Sequence, residues 1–260
     1  MLKLMKYEFR KTRTVLVVLL IAFAALQLGF VAGIRADRPR LYIPASMLTA
    51  FLVYGAYVYI LLSGIVSYSR ELRDRTGYLV FLVPVHPIGV VLSKLLFTLL
   101  AAVAATAVFG AGAYLDYVGL CRRMSIDPAL LQKIDLSMFL PMVGESLPLG
   151  QIAMMALTVL ATLLIRLMTT ACTAFLAITL SATLMQNRKG FLRGLLSFLF
   201  FFLLVWGAQA LEDALLGPLT RAASMSAMLR RLGASLAVNL AFCGLFAWLS
   251  AWLLDRRVNL

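Results

Sequence analysis

Side chains suited to chemistry are concentrated in one stretch of the sequence, Ser67 to Lys94, which reads SYSRELRDRTGYLVFLVPVHPIGVVLSK. It holds five charges within six residues and the only histidine of the chain. Opposite charges stand four residues apart twice, Arg70 with Asp74 and Glu71 with Arg75, a spacing that supports a helix. Such a helix offers charge to a partner and carries no group that performs catalysis.

The residues after these charges return the chain to an apolar environment. A short helix that begins at Ser69 can end at Gly77, because glycine readily closes helices in the left-handed conformation. The apolar run LVFLVP follows, and Pro84 and Pro87 then fix the turn into the next apolar run. His86 is interpreted as a turn residue, with a pH sensor as the alternative. Because a solvated loop between two spans needs only a few residues, this length favours a docking element.

Catalytic and energy-coupling motifs are missing from the sequence. There is no GxxxxGK[ST] phosphate loop, so the chain cannot bind and hydrolyse ATP by that route. No Ser/His, Cys/His or paired-carboxylate set falls within the apolar runs, which argues against an intramembrane catalytic centre. Cys121, Cys172 and Cys243 are widely spaced without a CxxC motif, so neither a disulfide framework nor a zinc site is predicted. We therefore expect no enzyme activity, cofactor or metal in this chain.

The composition is that of a polytopic helical membrane protein. Of 260 residues, 63% are hydrophobic and 13% charged, and the mean hydropathy is +0.96. Apolar runs of about twenty residues recur and match a ~30 Å hydrocarbon core, whereas the alternating segments of a β-barrel are missing. We predict an all-α fold, one transmembrane domain over residues 1–260. Its six predicted spans are residues 14–34, 45–66, 91–115, 149–185, 191–211 and 235–254.

The distribution of basic residues predicts how these spans are oriented. With six spans and both termini in the cytoplasm, 14 of the 24 basic residues lie inside. Splitting the fourth run at Arg166 would give seven spans and place the NRKG and DRR clusters outside, against this bias. We therefore predict a multi-pass protein of the plasma membrane, in a bacterial cell. Arg166 then lies near the outer boundary as an interface anchor, with a buried pathway residue as the alternative.

Residues 1–13 predict an elbow helix on the membrane surface. A basic stripe and an apolar stripe lie side by side on this helix, which is typical of a helix on an anionic leaflet. A signal peptide is the alternative, since a basic stretch, the apolar VLVVLLI and an AFA triplet follow in order. Near the other end, two tryptophans four apart predict an aromatic belt. The predicted membrane-surface anchors are Lys3, Lys6, Arg10, Arg13, Trp248 and Trp252.

Polar residues within the predicted spans are few. Gln27, Gln209 and Asn239 are expected to form hydrogen bonds between helices, and small residues such as Gly112 to allow helices to approach closely. No Asp or Glu falls within the predicted spans, which argues against the carboxylate relays of ion-driven carriers.

Two segments, residues 116–147 and 212–234, are predicted on the outer side of the membrane. In the first, Asp127 and Pro128 suit the start of a helix, and in the second a helix is predicted from Pro218 through Arg231. Both are interpreted as amphipathic surface helices, with a lid or exit gate as the alternative.

The stretch Ser67 to Lys94 resembles the cytoplasmic segment of one family, the membrane-spanning permease subunits of type-2 ATP-binding-cassette (ABC) exporters. Between their second and third spans these carry a Glu, a Gly-Thr or similar small pair, an apolar stretch, a Pro and a Lys. Glu71, Thr76-Gly77, Pro84 and Lys94 follow that order, with Thr-Gly in place of the commoner Gly-Thr. The ends, MLKLMKYEFRKT and AWLLDRRVNL, are also similar to those of such permeases. The resemblance is sharp over this stretch and loose, through topology, elsewhere.

The resemblance implies a function and a set of partners. Residues 67–90 would hold a coupling helix that docks into a separate ABC ATPase subunit, where ATP and Mg are bound. A second permease copy, identical or related, and membrane lipid complete the expected partners, without nucleic acid. The complex would export an apolar or amphipathic substrate, such as a peptide, drug or lipid-like molecule; the alternative is a non-transporting membrane scaffold or sensor. The residues implied in ATPase coupling are Arg70, Glu71, Arg73, Asp74, Arg75, Thr76 and Gly77.

Overall fold

A computed structural model describes residues 2–36, 38–73, 87–123, 149–184, 190–217 and 225–257. Nearly all of these residues are helical. The helices are α1 (Leu2–Arg35), α2 (Pro39–Arg73), α3 (Pro87–Arg123), α4 (Leu149–Leu184), α5 (Gly190–Leu216) and α6 (Met225–Arg257).

Each of these six helices contains a stretch that is long and apolar enough, by length and composition, to cross a membrane. The prediction of a polytopic all-α membrane protein is confirmed at this level. The fourth apolar run forms one 36-residue helix that passes through Arg166 without a break. The stretches are Glu8–Arg35, Arg40–Leu72, Ile88–Asp116, Leu157–Leu184, Phe191–Leu216 and Ser226–Asp255.

Helices α2, α3, α5 and α6 extend beyond the predicted apolar spans into the charged segment and the two outer segments. The predicted coupling helix does not begin at Ser69, because α2 continues through that residue to Arg73. Residues 74–77, over which that helix was predicted to continue, lie outside the described part. Backbone hydrogen bonding continues a helix past the last apolar residue, which explains why hydropathy placed these ends too early.

The same extension changes the predicted outer segments and the elbow. Helix α5 runs through Glu212 to Leu216, and α6 already begins at Met225, so Arg231 lies in α6 and not at the tip of a separate helix. Helix α3 covers the start of the first outer segment, and residues 124–148 fall outside the described part. Helix α1 shows no boundary at residue 13, where the elbow was predicted to end.

Helix α5 ends at a glycine in the left-handed conformation. Gly217 has a φ of 72°, and its N–H donates to the carbonyl of Asp213 at 2.9 Å. Glycine adopts this conformation without a steric penalty, which is why it commonly closes helices. Glu212 therefore lies within the last two turns of α5.

The chain is organised as two compact units. One comprises Met1–Lys6, Leu61–Leu99 and Ala153–Leu260, and the other comprises Tyr7–Ile60 and Leu100–Ile152. In the first unit, the ring of Tyr68 stacks on that of Phe175 with the ring centroids 4.4 Å apart. Apolar side chains from α2 to α6 complete this core.

The second unit is held by close contact between α1 and α3. The rings of Phe23 and Phe109 meet edge to face with centroids 4.9 Å apart. Gln27 donates to Asp116 Oδ2 at 3.1 Å, which confirms the hydrogen bond between helices expected for this glutamine. A Cβ atom at Gly112 would lie only 2.5 Å from Phe23 Cζ, so the close approach expected at this glycine is also confirmed.

Gly112→Ala should destabilise the second unit. Its new methyl group would meet Phe23 at 2.5 Å and Gln27 Nε2 at 2.8 Å, and overpacking of this kind costs ~1–3 kcal/mol. Gly110→Ala is the matched control on the same helix, because no atom lies within 4 Å of the Cβ that it would add. Thermal unfolding in detergent checks the prediction, which equal unfolding temperatures for the two variants would contradict.

Candidate functional site

A buried ion pair joins the end of α2 to the beginning of α3. The ammonium Nζ of Lys94 lies 2.7 Å from Glu71 Oε1 and donates to Ser67 Oγ at 2.9 Å. Ser67 and Glu71 are four residues apart, so α2 presents both on one face. Lys94 is only 3% exposed, whereas Glu71 is 21% exposed. We call these three residues the Lys94 cluster.

Further contacts hold the end of α2 next to the Lys94 cluster. The hydroxyls of Tyr68 and Thr179 form a hydrogen bond of 2.7 Å between α2 and α4. From α5, Arg193 donates to the carbonyl of Leu72 at 3.4 Å. The last carbonyls of a helix lack partners within it and carry partial negative charge, so a cation is favourable there. Three helices thus fix the position from which the chain enters residues 74–86.

The electrostatics of the Lys94 cluster depend on both charges being present. Removing an ammonium from water is unfavourable unless a carboxylate and hydrogen-bond acceptors replace the water. Glu71 Oε1 and Ser67 Oγ provide that replacement for Lys94. The other carboxylate oxygen, Glu71 Oε2, is buried without a hydrogen-bond partner. The cluster is therefore a coupled pair of charges, in which removal of one member leaves the other without its countercharge.

The predicted ATPase-coupling residues divide into described and undescribed ones. Arg70 is exposed on α2. Glu71 is paired with Lys94, a partner that local charge spacing did not predict. Arg73 ends α2, and nothing is described of its side chain. The members that lie outside the described residues are Asp74, Arg75, Thr76 and Gly77.

A second charged cluster lies within the spans of α4, α5 and α6. Arg166 donates to Glu212 Oε1 at 3.0 Å, and Ser235 Oγ donates to the same oxygen at 2.5 Å. Asn239 Nδ2 donates to Glu212 Oε2 at 3.1 Å, which confirms the interhelical hydrogen bond expected for this residue. Glu212 is 8% exposed and Arg166 is 53% exposed. We call these four residues the Glu212 cluster.

The Glu212 cluster corrects one expectation from the sequence. Glu212 was assigned to an outer segment, and the spans were expected to hold no acidic residue. The carboxylate instead lies in the apolar stretch Phe191–Leu216 and is buried against α6. That expectation was wrong because the predicted span stopped at residue 211, one residue before the carboxylate. Ionisable groups in a membrane span are costly, and their partners are usually close by, as Arg166 is here.

The predicted surface anchors are mostly on the exposed faces of their helices. Side chains at Lys6, Arg10 and Arg13 are exposed on α1, and those of Trp248 and Trp252 on α6. The side chain of Lys3 is outside the described part. Exposure is what surface anchoring requires, and the anchoring role itself stays a prediction.

No group of three or more His, Cys, Asp or Glu side chains that could hold a metal ion occurs among the described residues.

Comparisons with protein-family models, with curated proteins and with solved structures find no match to this chain. The class that its helices define is that of a polytopic all-α membrane protein.

Proposed function

We propose that this protein is the permease subunit of an ATP-driven exporter of the type-2 ABC class. It would act with a second permease copy, identical or related, and with separate ABC ATPase subunits. The observation that carries the proposal is the Lys94 cluster, which ties together the two helices that flank the charged residues 70–77. These are the residues that resemble the coupling segment of such permeases.

A coupling segment must be firmly mounted if motion of an ATPase is to move the spans. An exposed loop on two unconnected helices would yield to a force without transmitting it. Here the carboxylate of Glu71 and the ammonium of Lys94 bind each other where solvent is largely excluded. Buried, paired charges resist separation, because each would be left uncompensated. A displacement of residues 74–86 would therefore be passed to α2 and α3 together.

The source of energy follows from what the sequence lacks. Because there is no phosphate loop, ATP and Mg would be bound by the partner subunit. The cargo would be apolar or amphipathic, such as a peptide, drug or lipid-like molecule, taken from the cytoplasm or inner leaflet. The protein would lie in the plasma membrane of a bacterial cell with both termini in the cytoplasm. The basic side chains at the start of α1 would anchor it at the inner leaflet.

Arg70→Glu tests the proposed docking directly. Arg70 is exposed, so reversing its charge should leave the fold intact while opposing the ATPase. Like charges across an interface cost several kcal/mol, and ~1.4 kcal/mol is tenfold in affinity. We expect a tagged permease to retain its yield and to lose at least about tenfold in the amount of co-purified Walker-motif ATPase, measured by mass spectrometry.

Arg40→Glu is the matched control for this experiment, since Arg40 is exposed near the opposite end of the same helix. It should co-purify the ATPase as the unaltered protein does. Reversal at Glu71 is unsuitable, because it would also place a second ammonium beside buried Lys94. If no Walker-motif ATPase accompanies the unaltered permease, the scaffold or sensor alternative is favoured; unchanged co-purification of Arg70→Glu would remove Arg70 from the contact.

A further inference from the structure

We propose that Cys172 and Cys243 form a dithiol site that a lipid-soluble oxidant of the quinone class converts into a disulfide between α4 and α6. Their Sγ atoms are 3.1 Å apart and both cysteines are free thiols. A disulfide bond is ~2.05 Å long, so the two sulfurs need to approach by only about 1 Å in total. The proposal is independent of the proposed transport function.

The two sulfurs face each other because α4 and α6 are held in register. Thr169 donates to the carbonyl of Asn239 at 3.0 Å, buried between these helices. Cys172 lies three residues after Thr169, and Cys243 lies four residues after Asn239. Residues three or four apart share a helix face. One turn along, the same two faces therefore bring the thiols together, with Cys172 in the hydrophobic core of the first unit and Cys243 packed against it.

Access to the pair is open from one side. Cys172 is fully buried, at 0% exposure, whereas Cys243 is only partly buried. Both lie within stretches long and apolar enough to cross a membrane, so in a bilayer the exposed part of Cys243 would meet the apolar phase. A reagent dissolved in lipid can approach Cys243, while a charged reagent in water is kept away from both sulfurs. Cys172, which is fully buried, supplies the second thiol.

The chemistry of this step balances without a further reactant. Two S–H bonds break and one S–S bond forms, and the two electrons and two protons released reduce the quinone to a quinol. Neither the thiols nor the disulfide carries a charge, so the product suits the apolar surroundings as well as the reactants do. Dithiothreitol reverses the reaction by thiol–disulfide exchange once the protein is denatured. Under oxidising conditions the disulfide would link α4 covalently to α6.

Counting the thiols that can be alkylated tests the proposal. The chain has three cysteines, and Cys121 serves as an internal reference. Protein in lipid nanodiscs is treated with a short-chain ubiquinone analogue whose fully substituted ring cannot add thiols. It is then denatured, alkylated with iodoacetamide and weighed by mass spectrometry. We expect alkylation to fall from three sites to one, at Cys121, and to return to three after dithiothreitol.

Two controls make the outcome decisive. Oxidised glutathione, which is charged and water-soluble, should leave Cys172 and Cys243 reactive in the peptide map. Cys121→Ser should show no alkylated site after quinone treatment, whereas Cys243→Ser should retain both of its remaining thiols. Three alkylated sites after quinone treatment, or a disulfide that involves Cys121 in the peptide map, would overturn the proposal.

Discussion

Arg166→Leu should destabilise the protein more than Glu212→Leu, although the two residues form one ion pair. Glu212 is 8% exposed, so loss of Arg166 leaves a buried carboxylate with hydrogen bonds but no countercharge. Loss of Glu212 leaves a guanidinium that is 53% exposed, and from the position near the outer boundary predicted for Arg166 its flexible stem can reach polar surroundings. The larger loss of stability is therefore expected on removal of Arg166, because the residue left behind, Glu212, is the less exposed of the two.

The expected magnitudes separate the two variants clearly. Breaking a buried pair by removing one partner costs ~3–5 kcal/mol, and we expect Arg166→Leu near the lower limit because two donors to Glu212 remain. Glu212→Leu should cost about 1 kcal/mol, as an exposed pair does. The double variant should resemble Glu212→Leu, since apolar residues replace buried ion pairs at little cost. Unfolding by titration with a denaturing detergent measures all three.

Arg230→Leu is the control for this comparison. Arg230 is exposed on α6 and donates a hydrogen bond to the carbonyl of Ser226 in its own helix. Its loss should change stability by less than about 0.5 kcal/mol. The prediction is contradicted if Arg166→Leu and Glu212→Leu lose equal stability, or if the double variant is no more stable than Arg166→Leu. Either result would mean that the ion pair does not determine the stability of the Glu212 cluster.

The six helices follow from hydropathy because lipid leaves the backbone few alternatives. Within hydrocarbon every N–H and C=O must be satisfied inside the protein, so an apolar run of sufficient length is a helix. The ends of the helices are not subject to that constraint. Ser69 to Arg73 continue α2 and Glu212 to Leu216 continue α5 even though both sequences carry charge. Hydropathy therefore predicts the number of helices better than their limits.

The contacts of the two charged clusters were harder to predict than the residues themselves. Arg166 and Asn239 were singled out by type, since polar groups are unusual in a span. Glu212 was missed as their partner because its place in a helix was not anticipated. Cys172 and Cys243 illustrate the same limit, since 71 positions separate them in sequence and 3.1 Å in the fold. Local spacing predicts pairs within one helix and not between packed helices.

The Lys94 cluster is the second example of a pair between helices. Charge spacing predicted that Glu71 would pair within its own helix with Arg75. The structure gives it a partner 23 positions away, on α3. This partner is a residue that the family resemblance had already marked, at the beginning of the third span. The motif and the packing thus point to the same two residues for different reasons.

Glu71→Ala should be among the most damaging single substitutions in the described part of the chain. It leaves the ammonium of Lys94, 3% exposed, without its carboxylate, and the expected loss is ~3–5 kcal/mol. Lys94→Met should cost less, because the residue it leaves without a partner, Glu71, is the more exposed of the two at 21%. The double variant should regain most of the lost stability, since no uncompensated charge remains.

This double variant also separates the stability of the fold from the transmission of motion. The double variant keeps the exposed Arg70 that is proposed to contact the ATPase, so the ATPase should co-purify with it in normal amount. What it lacks is the ion pair that joins the end of α2 to the beginning of α3. The rate of ATP hydrolysis by the ATPase, measured with and without the reconstituted permease, reports whether the two subunits are coupled. With the unaltered permease we expect a clear difference between these rates, and with the double variant a difference of less than about twofold, or ~0.4 kcal/mol in activation free energy.

A second pair between the same two helices provides the matched control. Tyr57 and Thr106 join α2 to α3 through a hydroxyl hydrogen bond of 2.6 Å, in the second compact unit. Tyr57→Phe with Thr106→Val removes that bond without touching the Lys94 cluster, and the permease should then alter ATP hydrolysis as before. If the Glu71 and Lys94 double variant also alters it as before, the ion pair stabilises the fold only. If the control variant loses the effect as well, transmission depends on the general stability of α2 and α3 and not on the ion pair between Glu71 and Lys94.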